Sequence, residues 1–397
     1  MAVDDRKRAG NDRPSQSLLY NPEFRSYAFQ AVTILIILWL VYQVWTNASE
    51  NLARANLTTG FDFLNGRAGF DIAQSLIAYT SDSSYLRALQ VGLINTLVVA
   101  VIGIVTATIL GLLVGIGRMS SNWLIARLCT VYVEVFRNLP PLLVIFFWYL
   151  GVLSLLPNIR EAVELPLSVF LSNRGFYMPK PVFGEGSGLV AIVFVLGILG
   201  AIAFSVWARR QQMATGKQYP ILWVSLGLIL ALPVLVFLAI GAPLSFDVPV
   251  LGRFNMTGGA VIGPEFLSLY LALSFYTASF IAEIVRAGIK GVSKGQSEAA
   301  HALGVRPGLT TRLVVLPQAL RIIIPPLTSQ YLNLIKNSSL AVAVGYADMV
   351  AVGGTILNQT GHSIEIIAIW MMLYVSISLV TSLFMNWFNA KMALVER

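Results

Sequence analysis

Charged and amide side chains set inside long apolar runs are where this chain could do chemistry. A charge at the centre of a hydrocarbon layer costs at least ~2.5 kcal/mol unless it is partnered. Three groups stand out. Glu283 and Arg286 lie one helical turn apart, a spacing at which they can pair with each other. Lys336, Asn337, Ser338 and Ser339 form a polar run inside an apolar segment, after Pro325-Pro326. The missing N–H groups of those prolines free carbonyls, which is tolerated where helices pack together or line a cavity. Asn95 and Thr96 make the third group, although one buried amide also serves as glue between helices. Glu134 and Arg137 lie nearer a segment edge and read as an interface pair. A zwitterionic solute needs partners of both signs. Glu283 and Lys336 could supply them around the neutral amide of Asn337, provided their segments run antiparallel and bring them to comparable depth. The competing reading pairs Glu283 with Arg286 and sends Lys336 snorkelling to an edge.

A different kind of site is suggested by the polar stretch from Gly295 to Gly304, which continues to Leu316-Pro317 between two apolar segments. Glu298 opens a short helical pattern that places Ala299 and Ala300 on one face with Leu303. Gly304 suits the left-handed position that closes a helix, and Pro307 forbids its continuation. Such a helix, tethered between two spans with a small apolar face, is suited to docking outside the bilayer. An ordinary loop helix is the plainer alternative. Nucleotide chemistry has no place in this chain. No lysine completes a G-x-x-x-x-G-K-[ST] phosphate loop, and no H-E-x-x-H metal helix is present.

The elements that must position these residues are membrane helices. With 56% hydrophobic and 12% charged residues and a mean hydropathy of +0.74, the chain lies far from a soluble domain, where charged residues make up about 25%. The apolar residues fall in runs long enough to cross a bilayer, which takes ~20 residues per helix. The reading is an all-α polytopic membrane protein with eight spans. They cover about 27–45, 86–116, from Pro140-Pro141 to 156, 188–207, 220–241, 265–289, from 319 through Ser339, and 364–388. Gly111 and Gly115 in the second span form a G-x-x-x-G that permits close helix approach. Residues 1–48 are read as a polar tail plus the first helix, and 49–85 as an external loop with a short amphipathic helix near Phe70–Tyr79. The stretches 157–187 and 242–264 read as polar connections. Cys129 is the only cysteine and His301 and His362 the only histidines, so neither an internal disulfide nor a structural metal site is expected.

The net charge of +8 does not point to nucleic acid, because the cations are sorted by loop parity. Nineteen of the 27 Lys and Arg fall on the side of the termini and of the 291–317 loop, seven on the other, and Lys336 lies within a span. By the positive-inside rule that side is cytoplasmic.

Glu298-Ala299-Ala300, three residues, Gly304, nine residues, then Val314 and Leu316-Pro317 resemble the EAA loop of ABC-importer permeases; only Val314 departs, standing where Ile is usual. Four further stretches resemble the polar amino-acid subfamily of these type I permeases: Gly92–Leu97, Tyr132–Pro141, Ala282–Gly288 and Lys336–Leu340. The resemblance implies a type I importer permease domain over 86–390, with loop 291–317 as the coupling loop. The first helix and the inserted region 157–264, carrying helices 4 and 5, are additions that the short members of that subfamily lack. Larger permeases of bacterial general L-amino-acid transporters carry such additions and a Tyr-Asn-Pro like Tyr20-Asn21-Pro22.

The implied machine sits in the bacterial inner membrane with both termini of this chain cytoplasmic. It combines a second homologous permease, a cytoplasmic ATPase dimer that binds ATP and Mg, and a periplasmic amino-acid-binding protein. Membrane lipid surrounds it, and this chain itself needs no cofactor. Glu298, Ala299, Ala300, Gly304, Leu316 and Pro317 would couple to the ATPase. Glu283, Lys336, Asn337, Ser338 and Asn95 would lie along the solute path. Many relatives carry Asp where this chain has Asn337, and the missing charge argues against a pathway dedicated to cationic amino acids. The rival reading is an ion-coupled secondary transporter with Glu283 as its coupling carboxylate.

Overall fold

The computed structural model describes residues 22–54, 60–242, 244–253 and 255–392. Residues 1–21 of the proposed cytoplasmic tail, Tyr20-Asn21 among them, and Arg397 lie outside the described residues. Six helices are long and apolar enough to cross a membrane, and eight crossings result if each of two bent helix pairs is one span. The protein is mostly helical, as the apolar runs predict.

Helix α1 (Pro22–Arg54) keeps its apolar side chains exposed on every face, Leu35, Leu38 and Trp39 among them. A helix apolar all round belongs in lipid. Helix α2 (Tyr85–Gly117) starts at Ser84, whose hydroxyl accepts from the Arg87 N–H. It packs closely along α7 (Pro264–Lys290). The Gly111/Gly115 pair makes this approach possible. A Cβ at Gly111 would lie 2.5 Å from Ile281 Cγ2, and one at Gly115 2.8 Å from the Ala282 carbonyl oxygen. The closeness expected of that motif is present.

Helix α3 (Trp123–Asn138) is capped by Asn122, whose side-chain oxygen accepts from the N–H groups of Leu124 and Ile125. Leu139 and Pro140 are extended, and α4 (Pro141–Leu155) sets out at 113° to α3. The third span is therefore half of a bent pair, widened by a π turn over Phe147–Val152. Tyr132 of α3 donates to the Phe275 carbonyl of α7 at 2.6 Å, which fixes the pair to the bundle.

Beyond α4 come eight short strands: β1 (Val163–Leu165), β2 (Val169–Ser172), β3 (Gly175–Met178), β4 (Lys180–Phe183), β5 (Leu244–Asp247), β6 (Val250–Leu251), β7 (Met256–Thr257) and β8 (Ala260–Ile262). They form an antiparallel sheet in the order β1-β2-β3-β8 and two ribbons, β4-β5 and β6-β7. Both connections read as loops are thus strands of one small cap. Strands of two to four residues are too short to show alternation, and their partners lie on the far side of a helical hairpin, as in Tyr177↔Val261 and Lys180↔Asp247. That hairpin is α5 (Ser187–Thr215) and α6 (Ile221–Ala239).

The segment 70–79, expected from sequence to be a short amphipathic helix, is not helical. Its carbonyls are taken by side chains instead. Tyr79 donates to Phe70 O, Arg87 to Ala78 O and Asn95 to Gln74 O. With those acceptors committed to α2 and to the turn itself, an amphipathic helix has nothing to gain there.

On the other side of the bundle, α8 (Lys294–Ala302) leads through a turn at Pro307 into α9 (Leu316–Asn337). Pro325 and Pro326 do not interrupt α9, because Ile323, Ile324 and Leu327 are held in the core around them. The break comes later. Ser338 and Ser339 bond back to the carbonyls of Ile335 and Lys336, the backbone tightens into a 3₁₀ turn, and Gly345 takes a left-handed conformation (φ +78°). Helix α10 (Met349–Thr360) then leaves at 53° to the preceding helix, and α11 (Ser363–Met392) closes the bundle against α9 and α10.

Candidate coupling loop and solute path

The loop helix α8 is closed as the sequence predicts. Gly304 has φ +74°, its N–H reaches the His301 carbonyl at 2.9 Å, and the Val305 N–H reaches Ala300 O at 3.1 Å. This paired bonding is the Schellman arrangement. Ala300 is 6% exposed and Thr310 is buried, so one side of the loop is seated on its own protein. Gln318 Nε2 donates to Gln296 Oε1 at 3.3 Å and ties the start of α8 to the start of α9. Glu298 and Ala299 face out, and Leu303 is 82% exposed. The shared face expected for Ala300 and Leu303 does not form, because Leu303 is already the capping residue and has left helical geometry. Leu316 is exposed and Pro317 half-buried at the start of α9.

Glu283 lies on the last third of α7 and is held by arginines from three elements. Its carboxylate accepts from Arg286 at 2.5 and 3.3 Å and from Arg118 at the end of α2, with Arg137 of α3 3.8 Å away. Arg118 also reaches Glu134 at 3.6 Å. The Glu283–Arg286 pair is therefore one edge of a five-residue network that clamps the ends of α2, α3 and α7 together. Arg118 closes α2 and gains its role in the network only because α7 is packed beside it.

Depth separates Glu283 from the Lys336 group. Gly288 of α7 faces Ile323 of α9, while Leu334 and Ser274 both meet Gly103. Continued along these antiparallel helices, that register sets Asn337 roughly ten residues above Glu283, about 15 Å at ~1.5 Å per residue. The two do not share one depth, so they cannot flank the same small solute. Lys336 is exposed and Asn337 half-buried, whereas Ser338 is fully buried with its hydroxyl on Ile335 O.

Asn95 belongs to a separate knot at the break after α9. Its Nδ2 donates to Gln74 O and to Ala347 O at 2.9 Å, Tyr346 donates to Asn95 O, and the Met349 N–H donates to Thr96 Oγ1. Asp348 sits in the middle, fully buried. One carboxylate oxygen accepts from the Ala351 N–H at 2.8 Å and caps α10, while the other has no hydrogen-bond partner. The rule that singles out Glu283, a carboxylate within an apolar run, singles out Asp348 equally.

Residues 107–394 match the family described as the binding-protein-dependent transport system inner membrane component. The chain belongs to this family. Relatives extend the match over the full length. The general L-amino acid transport system permease protein AapQ of Rhizobium johnstonii is 63% identical over 396 residues, covering 100% of this chain and 99% of that protein. A putative amino-acid ABC transporter permease, YhdX of Escherichia coli, is 48% identical over 95% of this chain and 96% of its own. BztB of Rhodobacter capsulatus, a glutamate/glutamine/aspartate/asparagine transport system permease, is 43% identical over 96% of both chains. A permease of this family is a membrane-embedded transport component and not an enzyme.

Proposed function

We propose that this permease forms one half of the translocation pathway of an ATP-driven amino-acid importer in the bacterial inner membrane. The observation that carries the reading is the 291–317 loop. Its helix is seated on one side through Ala300 and presents Glu298, Ala299 and Leu303 outward, beyond the ends of the membrane helices. An exposed leucine at a capped helix end, with an exposed carboxylate a turn and a half before it, is what a receptor groove on another protein would hold. The chain has no phosphate loop of its own, so ATP and Mg belong to a partner ATPase dimer. A second, homologous permease and a periplasmic amino-acid-binding protein complete the assembly. The relatives named for amino-acid transport support the choice of solute. The excess of Lys and Arg on the side of the 291–317 loop supports cytoplasmic termini.

In this mechanism, closure of the ATPase dimer draws the two coupling loops together and rocks the rigid bundles. The network around Glu283 transmits the movement, because α2, α3 and α7 are tied at their loop-side ends. Lys336 and Asn337, at the break after α9, are the residues of this chain proposed to meet the solute. An ion-coupled reading has less support, since a carboxylate held by three guanidiniums is a poor proton or sodium carrier. The test is uptake into proteoliposomes containing the whole complex. Uptake should require ATP and survive ionophores, and Glu298→Lys should abolish it while the protein still inserts normally. Uptake that continues without nucleotide and ends with the proton gradient would overturn the reading, as would normal uptake by the Glu298 variant.

A further inference from the structure

The helical hairpin α5–α6 carries an uncompensated charge and a groove that fit together. From Ser187 to Gly241 the sequence contains Arg209, Arg210 and Lys217 and no Asp or Glu. Among the described residues none of the three makes an ion pair. They crowd the hairpin's turn, which lies on the same side as the 291–317 loop, because both ends of the hairpin join the β cap on the opposite side. Trp207 and Tyr219 pack at 5.0 Å beside that turn, and Lys217 stands 5.6 Å over the Tyr219 ring. Aromatic residues next to cations mark the headgroup level of a bilayer.

The groove runs up from this turn. Gly197 lets α5 rest on the Leu228 carbonyl, where a Cβ would lie 2.2 Å from the oxygen. Opposite it, α6 carries a π turn over Gly227–Ala231, whose extra residue bulges the backbone. Between that contact and the turn the helices leave a groove of about 370 Å³. Ile198, Ile202 and Val206 line it on α5, Ile229 lines it on α6, and Arg209 closes its end. Two hydroxyls also line it: that of Ser205 on α5 is spent on Ala201 O at 2.7 Å, and Ser225 of α6 lies toward the turn, so the rest of the wall is apolar. Ile198 to Arg209 spans eleven residues, about 16 Å, close to half of the ~30 Å hydrocarbon core. A second groove near the β cap, lined by Phe194, Pro233 and Phe237, has no charged residue at all.

We infer that the hairpin is a binding site for an anionic phospholipid, with one acyl chain in the Ile198–Ile229 groove and the phosphate on Arg209. Arg210 and Lys217 add to the local field. Length, polarity and charge each fit this ligand. The groove is one leaflet long, its largely apolar wall takes hydrocarbon, and its charged end at Arg209 takes an anion. A partner helix satisfies its own backbone and could also lie on an apolar wall, so it is the unpaired cations at the groove's end that select the lipid. The neutral groove at the other end takes acyl chains without regard to headgroup charge.

The experiment is native mass spectrometry of the intact transporter complex extracted from nanodiscs of mixed phosphatidylcholine and phosphatidylglycerol. The parent should retain phosphatidylglycerol selectively. Arg209→Gln should reduce that retention about five-fold, the effect of one cation at an anionic surface. Ser205→Phe, which fills the groove and keeps every cation, should reduce it comparably. Phe194→Ala, in the neutral groove, should leave the selectivity unchanged. The inference fails if the Ser205 variant retains the lipid as the parent does, since charge alone would then suffice. It also fails if excess inorganic phosphate displaces the lipid, or if Ile202→Cys cross-links to a partner permease in the membrane.

Discussion

Helix α7 and the hairpin α5–α6 cross the same slab and meet opposite fates. In α7, 61% of the apolar window is buried inside the protein; in α5 and α6 only 11% and 6% are. The more buried helix is the more polar one. It carries Ser268, Ser274, Thr277 and Ser279 inside the bundle, together with Glu283 and Arg286, while α5 has no charged residue before Arg209. In water the apolar helix would be the buried one. In a bilayer, lipid is as good a neighbour as leucine, so close packing is left to small and polar residues. Burial in this protein therefore reports function and assembly more than hydrophobicity. In the proposed importer the bundle around α7 transmits and transports, while the hairpin faces lipid.

The comparison is most easily broken at its glycines. Gly115→Leu drives a side chain into the Ala282 carbonyl and Val285, where both helices are locked by the network above Arg118. Overpacking of that kind costs about 1–3 kcal/mol, and because the contact belongs to the moving bundle, uptake should be lost along with thermal stability. Gly197→Leu meets the Leu228 carbonyl just as directly, yet its strain stays in the hairpin. It should lower the melting temperature little and leave uptake near that of the parent. Paired melting curves and uptake assays decide the point, and equal loss in both variants would mean the hairpin is part of the working bundle.

A smaller effect is expected at the break after α9. Asp348→Ala removes the cap of α10, worth about 0.5–2 kcal/mol, and should lower the melting temperature accordingly. Asp348→Asn keeps an acceptor for the Ala351 N–H and removes the buried charge, so it should match or exceed the parent in stability. A variant order with Asn below Ala would contradict the capping role.

The smallest change is one of preference. Asn337→Asp places a carboxylate beside Lys336, and if Asn337 faces the solute, arginine should compete better against a labelled neutral amino acid. Glutamate should compete worse. Uniform loss of all substrates, or none, would return Asn337 to a packing role.

Much of this protein follows from local rules that any stretch obeys on its own. Apolar length makes the helices, Gly304 followed by Pro307 ends α8, the Gly111/Gly115 pair invites a close neighbour, and the 298–317 spacing marks the loop between α7 and α9. Each depends on neighbours within a few residues or on the bilayer itself. Tertiary packing decided what no window contains. It chose α7 as the partner of Gly115, gathered Arg118, Arg137 and Arg286 around Glu283, and paired β3 with β8 across the 81 residues between Met178 and Ala260, an interval that holds the whole α5–α6 hairpin and that no local signal bridges. It set Asn337 about 15 Å from Glu283, because helix register is fixed by which small residues interlock. It also moved the break in the seventh span from Pro325-Pro326 to Ser338–Asp348. A proline only removes hydrogen bonds, which a packed core can tolerate, whereas Asn95, Thr96 and Asp348 supply bonds to the unwound backbone and hold it open.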